Sequence, residues 1–428
     1  MKSLILFTTL LAAVAAAAQV PAARTLTRGQ MEAAIDSCSR AVREHYVFAD
    51  VAERMAARWA EGLAGGRYDG AGDFALFCQQ LQEDGRAESH DLHFGVRPGL
   101  GPVEGRGEGD GADDRERRGH YGWRRLEVLP GNVGYLELDG FSGDGRSGPV
   151  AAAGLQFLAG VDALVIDLRN NGGGDPKMIQ LISSYLLPPE THLNSFHVRK
   201  GDQWQQFWTL PWVPGATLRD VPVYVLTSGR TFSAGEEFCY NLRNLGRATL
   251  VGERTGGGAH PVASHEVDLG DGAWLEIHIP FGRAVNPISG TNWEGTGVEP
   301  HLNVPAAQAL DRALLDWYDK AASDPATGGW AAWARVAVRA RLEPVRLDPT
   351  QAKAYGGSYG PRKVRWEKGS LTYRRDGGPE MTLTPLDVDL FATEVEEFRV
   401  RFERDATGRV SAIVGLYGNG REDRNPRD

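Results

Sequence analysis

The chain has 428 residues, of which 42% are hydrophobic and 24% are charged, and its formal net charge is -9. This length predicts two or three ordinary domains, with enough core that no metal or disulfide framework is needed to hold them. The acidic balance argues against a basic nucleic-acid-binding face, so no nucleic-acid partner is expected.

The N-terminus has the form of a secretory signal. Lys2 precedes an apolar run over residues 4–18, and the run ends in small alanines before Gln19. This predicts a signal peptide over 1–18, the alternative being a buried N-terminal helix. No later segment has the roughly 20 apolar residues of a membrane span. We therefore expect an exported chain, periplasmic or extracellular, whose oligomeric state the sequence leaves open.

A helical subdomain is predicted over 27–96. Thr27 and Gln30 have the spacing of a capping box, and apolar residues then recur at helical spacing, with further helices expected near 51–63 and 73–81. Residues 97–123 are rich in Gly, Asp, Glu and Arg and predict a flexible linker or loop.

Strands and helices alternate over residues 124–343. Strand-like runs at 133–138, 163–168, 221–226 and 248–251 are separated by helical runs at 148–158, 177–187 and 234–245. This pattern is typical of a mixed or parallel sheet covered by helices, which places the chain in the α/β class. Residues 344–428 contain short alternating strands with turn signals and predict a small C-terminal all-β module.

The three cysteines are too few for a disulfide framework. Cys38 and Cys78 lie in neighbouring predicted helices, and whether they pair stays open. Cys239 lies on an apolar helix face, where a small buried side chain is expected.

Two loops contain the candidate catalytic or binding residues. Ser233 lies between the strand ending at Leu226 and an apolar helix, so its hydroxyl is either an N-cap with Glu236 or a nucleophile beside helix amides. The glycine-rich loop after Asp167, residues 168–176, also precedes a helix. Its backbone amides could cradle a phosphate or an oxyanion, although no dinucleotide or P-loop pattern is present.

Together these stretches resemble the tail-specific, or C-terminal-processing, serine proteases, over roughly residues 89–304. The matching segments are Asp-Leu-Arg-Asn-Asn-Gly-Gly-Gly from Asp167, the Thr-Ser-x-x-Thr-Phe-Ser-Ala-x-Glu-Glu-Phe run from Thr227, and the run from Leu245 to Gly258. The resemblance implies a crotonase-like core with Ser233 as nucleophile. It also implies an oxyanion hole formed by the amides of Ala234 and of Gly173 or Gly174.

The resemblance also implies which residue activates the serine. Many relatives use a lysine, but here Gly258 occupies that position, and no lysine occurs between Lys200 and Lys320. The branch that resembles the tricorn core and interphotoreceptor retinoid-binding protein carries an Asp-x-His motif, which His93 matches, and a glutamate that corresponds to Glu294. His93 is therefore implied as the base and Glu294 as the residue that orients it.

Alternatives to this assignment remain. His260 lies in the glycine-rich segment near Gly258 and is the second candidate for the base, or a substrate contact. His90 and His93 have the spacing of half a metal site, but no further ligand motif accompanies them, so no metal or other cofactor is expected. The stretch 97–123 is too short and too polar to fold as the PDZ domain that many relatives insert there.

These observations predict an exported serine peptidase that acts on peptide or protein substrates through an acyl-enzyme. Two alternatives remain: an esterase with the same machinery, and a non-catalytic binding protein for hydrophobic small molecules on the same fold. Substrate identity, cleavage specificity and the role of the β module cannot be read from the sequence.

Overall fold

The computed structural model describes residues 25–70, 73–99, 101, 110–323 and 328–428. The predicted signal peptide, 1–18, lies outside these residues. The chain divides into two compact units, one formed by Met1–Glu104 with Val262–Phe281 and the other by Gly105–Pro261 with Gly282–Asp428. Within the described ranges no helix is both long and apolar enough to cross a bilayer.

The helices are α1 (Arg28–His45), α2 (Ala49–Ala64), α3 (Phe74–Ser89), α4 (Asp110–Arg118), α5 (Ser147–Phe157), α6 (Pro176–Leu186), α7 (Ala234–Asn244), α8 (Ala309–Ala321), α9 (Gly328–Leu342) and α10 (Pro349–Tyr355). The strands that precede α8 are β1 (Gly95–Pro98), β2 (Trp123–Leu129), β3 (Val133–Leu138), β4 (Ala163–Asp167), β5 (His192–Val198), β6 (Gln203–Trp208), β7 (Val223–Thr227), β8 (Ala248–Gly252), β9 (Val262–Asp268), β10 (Trp274–Pro280), β11 (Gly282–Val285) and β12 (Leu302–Asn303). The C-terminal strands are β13 (Gly357–Tyr359), β14 (Arg362–Glu367), β15 (Ser370–Arg375), β16 (Glu380–Asp387), β17 (Leu390–Ala392), β18 (Phe398–Arg404), β19 (Val410–Tyr417) and β20 (Glu422–Pro426).

The first unit combines α1, α2 and α3 with a three-stranded antiparallel sheet in the order β1-β10-β9. Thr27 and Gln30 form the predicted capping box at the start of α1. Trp59, Phe94 and Ile277 are fully buried in one apolar cluster that joins the helices to the sheet. The helices predicted near 27–96 are therefore confirmed, whereas the two strands that join them from after residue 261 were not foreseen.

The second unit is built on a six-stranded sheet in the order β12-β8-β7-β4-β3-β2. All neighbours are parallel except β2 and β3, which are antiparallel. Successive residues of β4 point to opposite faces, so Ile166 packs in the cluster formed with α5, α6 and α7, while Val165 packs in the cluster formed with α8 and α9. This is the predicted helix-covered sheet, with every residue of β4 buried.

Parallel pairing determines where the candidate loops lie. β4 and β7 are adjacent and parallel, so the loops that follow them leave the sheet at the same edge. The glycine-rich loop follows β4 and the Ser233 turn follows β7. The sheet order therefore brings together two segments that are more than fifty residues apart in the sequence.

The C-terminal strands form an eight-stranded antiparallel sheet in simple chain order from β13 to β20. Its apolar face packs around aromatic side chains such as Tyr359, Phe391 and Phe402. The predicted C-terminal sheet, with one buried face, is confirmed, whereas the all-β prediction for 344–428 missed helix α10, which packs its Ala352 and Tyr355 into the same cluster.

The stretch 97–123, predicted as a flexible linker or loop, contains helix α4. In this helix Asp114 pairs with Arg117 and Arg118 one turn later; such charged pairs support a helix without an apolar stripe.

All three cysteines are buried free thiols, and Cys239 lies in the core of the second unit as predicted. Burial raises the pKa of the Cys38 thiol to about 12.

Candidate active site

Ser233 lies at the joint between β7, which ends at Thr227, and α7, which begins at Ala234. Its backbone has φ +54° and ψ −122°. A residue with a side chain rarely adopts this conformation, which costs roughly 1–3 kcal/mol and persists only where neighbouring contacts impose it. Such strain is concentrated at functional sites. The half-buried Ser233 therefore combines a strained backbone with the N-cap position of α7.

Hydrogen bonds from the Ser233 turn to the glycine-rich loop impose this geometry. They run from Ser228 Oγ to the Arg169 carbonyl (2.6 Å), from Thr231 Oγ1 to the Leu168 carbonyl (2.7 Å) and from the Phe232 N–H to the Asn171 carbonyl (3.0 Å). Because both loops are joined by several bonds, neither can relax without the other.

Gly173 lies close against Ser233. It has φ +113°, and a Cβ added there would lie 2.8 Å from Ser233 Cβ. The buried Asn171 holds the glycine in position, since its Oδ1 accepts the Gly173 N–H (2.9 Å) and its Nδ2 donates to the Leu138 carbonyl (2.9 Å). Only a glycine fits between the loop and Ser233 without displacing one of them.

The amides expected to form an oxyanion hole differ in their present bonding. The Gly173 N–H already donates to Asn171, whereas no described residue accepts a hydrogen bond from the Gly174 N–H. Ala234 is the first residue of α7, so its N–H has no acceptor within the helix and lies at the positive end of the helix dipole. Of the two alternatives that the sequence could not separate, this bonding favours Gly174.

Glu236 holds the Ser233 turn and the third glycine-rich segment together. Its buried carboxylate accepts hydrogen bonds from the Ser233 N–H (2.9 Å), Thr255 Oγ1 (2.5 Å), the Gly257 N–H (2.7 Å) and the Gly258 N–H (2.8 Å). Burial raises the pKa of Glu236, and these four donors oppose that shift. Gly258, at the position where many relatives carry lysine, thus contributes its backbone amide to the Glu236 carboxylate.

Glu294 lies beside the same segment. Its Oε2 accepts the Ala259 N–H (2.5 Å) and lies 3.6 Å from His260 Nδ1. The indole of Trp293 donates to the Gly258 carbonyl (2.7 Å), which holds the chain around Glu294 against the glycines. The second unit therefore brings Glu294 together with the second candidate base, His260, whose side chain is 5% exposed.

His93 lies in the first unit, between α3 and β1. Its backbone N–H donates to Asp91 Oδ1 (2.9 Å), and Asp91 Oδ2 accepts from the Tyr46 hydroxyl (3.5 Å). The remaining predicted residues belong to the second unit: Gly173, Gly174, Ser233, Ala234, His260 and Glu294. The pairing of His93 with Ser233 stays a prediction.

Comparison with known proteins supports the family resemblance that the two loops indicate. The model of peptidase family S41 matches residues 132–304, a range that contains both loops, Glu236 and Glu294. The resemblance predicted from the sequence is thus confirmed over residues 132–304, and this match includes Ser233 but not His93.

Relatives of the S41 segment are carboxyl-terminal-processing proteases. That of Picosynechococcus sp. is 31% identical over 147 residues, 34% of this chain and 34% of the relative, and that of Synechocystis sp. is 32% identical over 148 residues, 35% and 33% respectively. This chain therefore aligns with about a third of the length of each. The solved photosystem II D1 C-terminal processing protease has 17% identity and a TM-score of 0.41, covering 66% of this chain and 94% of that one.

The sequence did not reveal the role of Glu236 in the S41 segment. At the third position after Ser233 it has the spacing of a capping box, and its carboxylate does accept the Ser233 N–H. Its further bonds join it to residues 255–258, nineteen to twenty-two positions away. A two-residue local pattern carries no information about such partners, so these contacts of Glu236 are seen only in the fold.

If Ser233 is a nucleophile, replacing Gly173 with alanine is expected to lower its turnover at least about 100-fold, because the new Cβ would displace Ser233 and strain a positive φ. Gly172→Ala is the matched control, since a Cβ there meets no atom within 4 Å. Steady-state kinetics of both variants tests this expectation. Equal activity of the two variants would contradict the close approach of the loop to Ser233.

Glu237 predicts a pH-dependent stability. Burial raises its pKa to about 7, and the amides of Asn194 and Asn241 oppose the shift. The folded state then holds a proton that the unfolded chain releases near its ordinary pKa of 4.5, so stability falls as pH rises between these values. Glu237→Gln removes this titration. Relative to that variant, the wild type should lose about 3 kcal/mol of unfolding free energy between pH ~4.5 and ~7.

Urea unfolding of both proteins near pH 4 and near pH 8 measures this difference directly. The glutamine variant also controls for packing, because its side chain has the shape of the protonated carboxyl. Parallel pH profiles for the two proteins would show that Glu237 does not take up a proton in this range.

Proposed function

We propose that this chain is a serine-type peptidase that cleaves peptide or protein substrates through an acyl-enzyme. The observation that carries the proposal is the strained backbone of Ser233 at φ +54°, which the glycine-rich loop and Glu236 impose. The S41 match over residues 132–304 supports the same reaction class. Both relatives named above are carboxyl-terminal-processing proteases, which makes a peptide the first substrate class to test.

In the proposed mechanism Ser233 Oγ attacks the substrate carbonyl carbon while His93 accepts the hydroxyl proton. The tetrahedral oxyanion receives hydrogen bonds from the N–H of Ala234 and from a loop amide, Gly174 or Gly173. Preorganised donors of this kind contribute about 3 kcal/mol each. Collapse of the intermediate breaks the C–N bond, and His93 returns the proton to the leaving amine.

A water molecule then attacks the acyl-enzyme with His93 as base, which releases the second product and restores Ser233. Glu294 orients the imidazole and stabilises its protonated form. The contact of Glu294 with His260 (3.6 Å) supports a second assignment, in which His260 takes the role of base. The step sequence is the same for either histidine, so the two assignments differ only in which variant loses activity.

Three broader features belong to the proposal. The core of 124–343 is crotonase-like, the chain divides into parts at 27–96, 97–123, 124–343 and 344–428, and residues 1–18 direct export. The helix-covered parallel sheet of the second unit supports the first of these. N-terminal sequencing of the protein recovered after expression would test the last, because cleavage after Ala18 is expected.

Hydrolysis of a peptide library by the purified chain, with matched alkyl esters in parallel, tests the proposed activity. We expect peptide cleavage at defined sites, with the sequences around them reporting the specificity. Turnover of esters alone would make the chain an esterase. No turnover of either class by folded protein would contradict the proposal and favour a binding protein.

A further inference from the structure

The second unit contains a further pocket, distant in sequence from the Ser233 turn, between α8, α9 and the segment that joins β17 to β18. Its volume is about 420 Å³, within the range of small-molecule sites. Most of its lining is apolar, including Leu310, Leu314, Trp333 and Val338. Such a pocket accepts an apolar ligand body.

A buried cation lies in this lining. Arg399, on β18, is only 6% exposed, and its guanidinium carbon lies 3.9 Å from the centroid of the Trp333 ring. Among the residues that the structure describes, no carboxylate lies within ion-pairing distance of this guanidinium and no oxygen accepts a hydrogen bond from it. Burial lowers the pKa of Arg399 to about 10, which still leaves the group charged at neutral pH.

An unpaired buried charge is costly, since most of its hydration is lost and an aromatic ring returns only part of that free energy. The other arginine of the pocket does not share this state, because Arg341 pairs with Asp311 at 2.6 Å. The acidic residues Glu394 and Glu396 are exposed at the rim, and Glu394 accepts the Thr382 N–H at 2.7 Å. The unbalanced charge inside the pocket is therefore positive, and it lies on the face of an aromatic ring.

We propose that this pocket binds an apolar molecule that carries one carboxylate, with the carboxylate paired to Arg399 and the apolar body held between α8 and α9. The guanidinium offers its planar edge to the carboxylate while its face stays on Trp333. A medium-chain fatty acid and the free C-terminus of an apolar peptide both have this chemistry. The site does not depend on the proposed peptidase activity and is tested without it.

Isothermal titration calorimetry with decanoate tests the charge requirement, and decan-1-ol and decylamine serve as ligands of equal length without the carboxylate. Decanoate is expected to bind at least about tenfold more tightly than either, in line with a desolvated charge-assisted pair. An N-acetylated apolar tripeptide and its C-terminal amide form a second arm. Binding of decanoate alone identifies a lipid-like ligand, and binding of the free-acid peptide as well identifies the shared chemistry.

Arg399→Gln is expected to lower the affinity for decanoate at least about tenfold. The matched control is Arg401→Gln, two residues further along β18, which changes an arginine outside the pocket lining that pairs with Glu422 (3.2 Å) and should leave the affinity within about twofold. Circular dichroism shows whether each variant is folded, and Arg399→Lys, which keeps the charge, should retain part of the affinity. Equal binding of decanoate and decan-1-ol, unchanged affinity in Arg399→Gln, or no binding of either carboxylate up to about 1 mM would overturn the proposal.

Discussion

Replacing Ser233 with alanine is expected to lower kcat/KM for peptide hydrolysis by about 10⁴-fold or more, because the acyl-enzyme can no longer form. The residual rate would come from the oxyanion donors and substrate binding alone. The variant should fold normally, since alanine keeps the backbone bonds of Ser233 to Glu236. Steady-state kinetics on a peptide identified in the library screen measures the loss.

Ser228→Ala is the matched control for this variant, because it removes a hydroxyl from the same turn. Ser228 Oγ donates to the Arg169 carbonyl (2.6 Å), one of several hydrogen bonds between the loops, so its loss should cost about 1 kcal/mol of stability and, with the other bonds kept, at most about tenfold in activity. Equal losses of activity in both variants would mean that the turn is structural and that Ser233 is not a nucleophile.

The second large effect is expected at His93. Without a base the Ser233 hydroxyl is a weak nucleophile, so His93→Ala should lower kcat by about 10³-fold. His260→Ala should cost less than about tenfold, because it removes a contact of Glu294 but not the proposed base. The pH dependence of kcat/KM adds a readout that a merely structural histidine would not change, because the acidic limb should disappear only when the base is removed.

The reverse outcome would assign the base to His260. A loss of about 10³-fold in His260→Ala, with a nearly active His93→Ala, would show that the base comes from the second unit together with Glu294. Comparable small losses in both would exclude a histidine base. Each result is interpretable because both histidines are changed to the same residue in the same chain.

The local elements were predictable because each has its own periodicity. β4 reads as a short β-branched run, and α1 combines a capping box with apolar residues at helical spacing. Helix α4 was missed because it has no apolar stripe and owes its support to pairs such as Asp114 with Arg118. The pairing of β9 and β10 with β1 was missed because alternation within a strand does not specify its partner.

The parts of the candidate site that depend on local sequence were predictable. Ser233 and the loop of Gly173 could each be singled out because they lie between a strand and a helix, whereas the fold shows that β4 and β7 are parallel neighbours and that both loops leave the same sheet edge. The positive φ of Ser233 and the bond from Gly173 to Asn171 depend on contacts between the loops. Neither can be read from residue identity, so the sequence left both Gly173 and Gly174 as candidates for the oxyanion hole.

The pocket around Arg399 illustrates the same limit. In the sequence Arg399 is the polar member of an alternating strand, where an exposed side chain is expected. In the fold the guanidinium is buried against Trp333, which belongs to a helix more than sixty residues earlier. A charged residue on the outward face of a strand becomes buried only when another element covers that face.

Covalent labelling tests the central claim most directly. A fluorophosphonate probe, followed by mass-spectrometric mapping of the digested protein, should place the adduct on Ser233, and labelling should be absent in Ser233→Ala. Folded wild-type protein that stays unlabelled, or that carries the adduct on another residue with Ser233 unmodified, would contradict the assignment of Ser233 as the nucleophile.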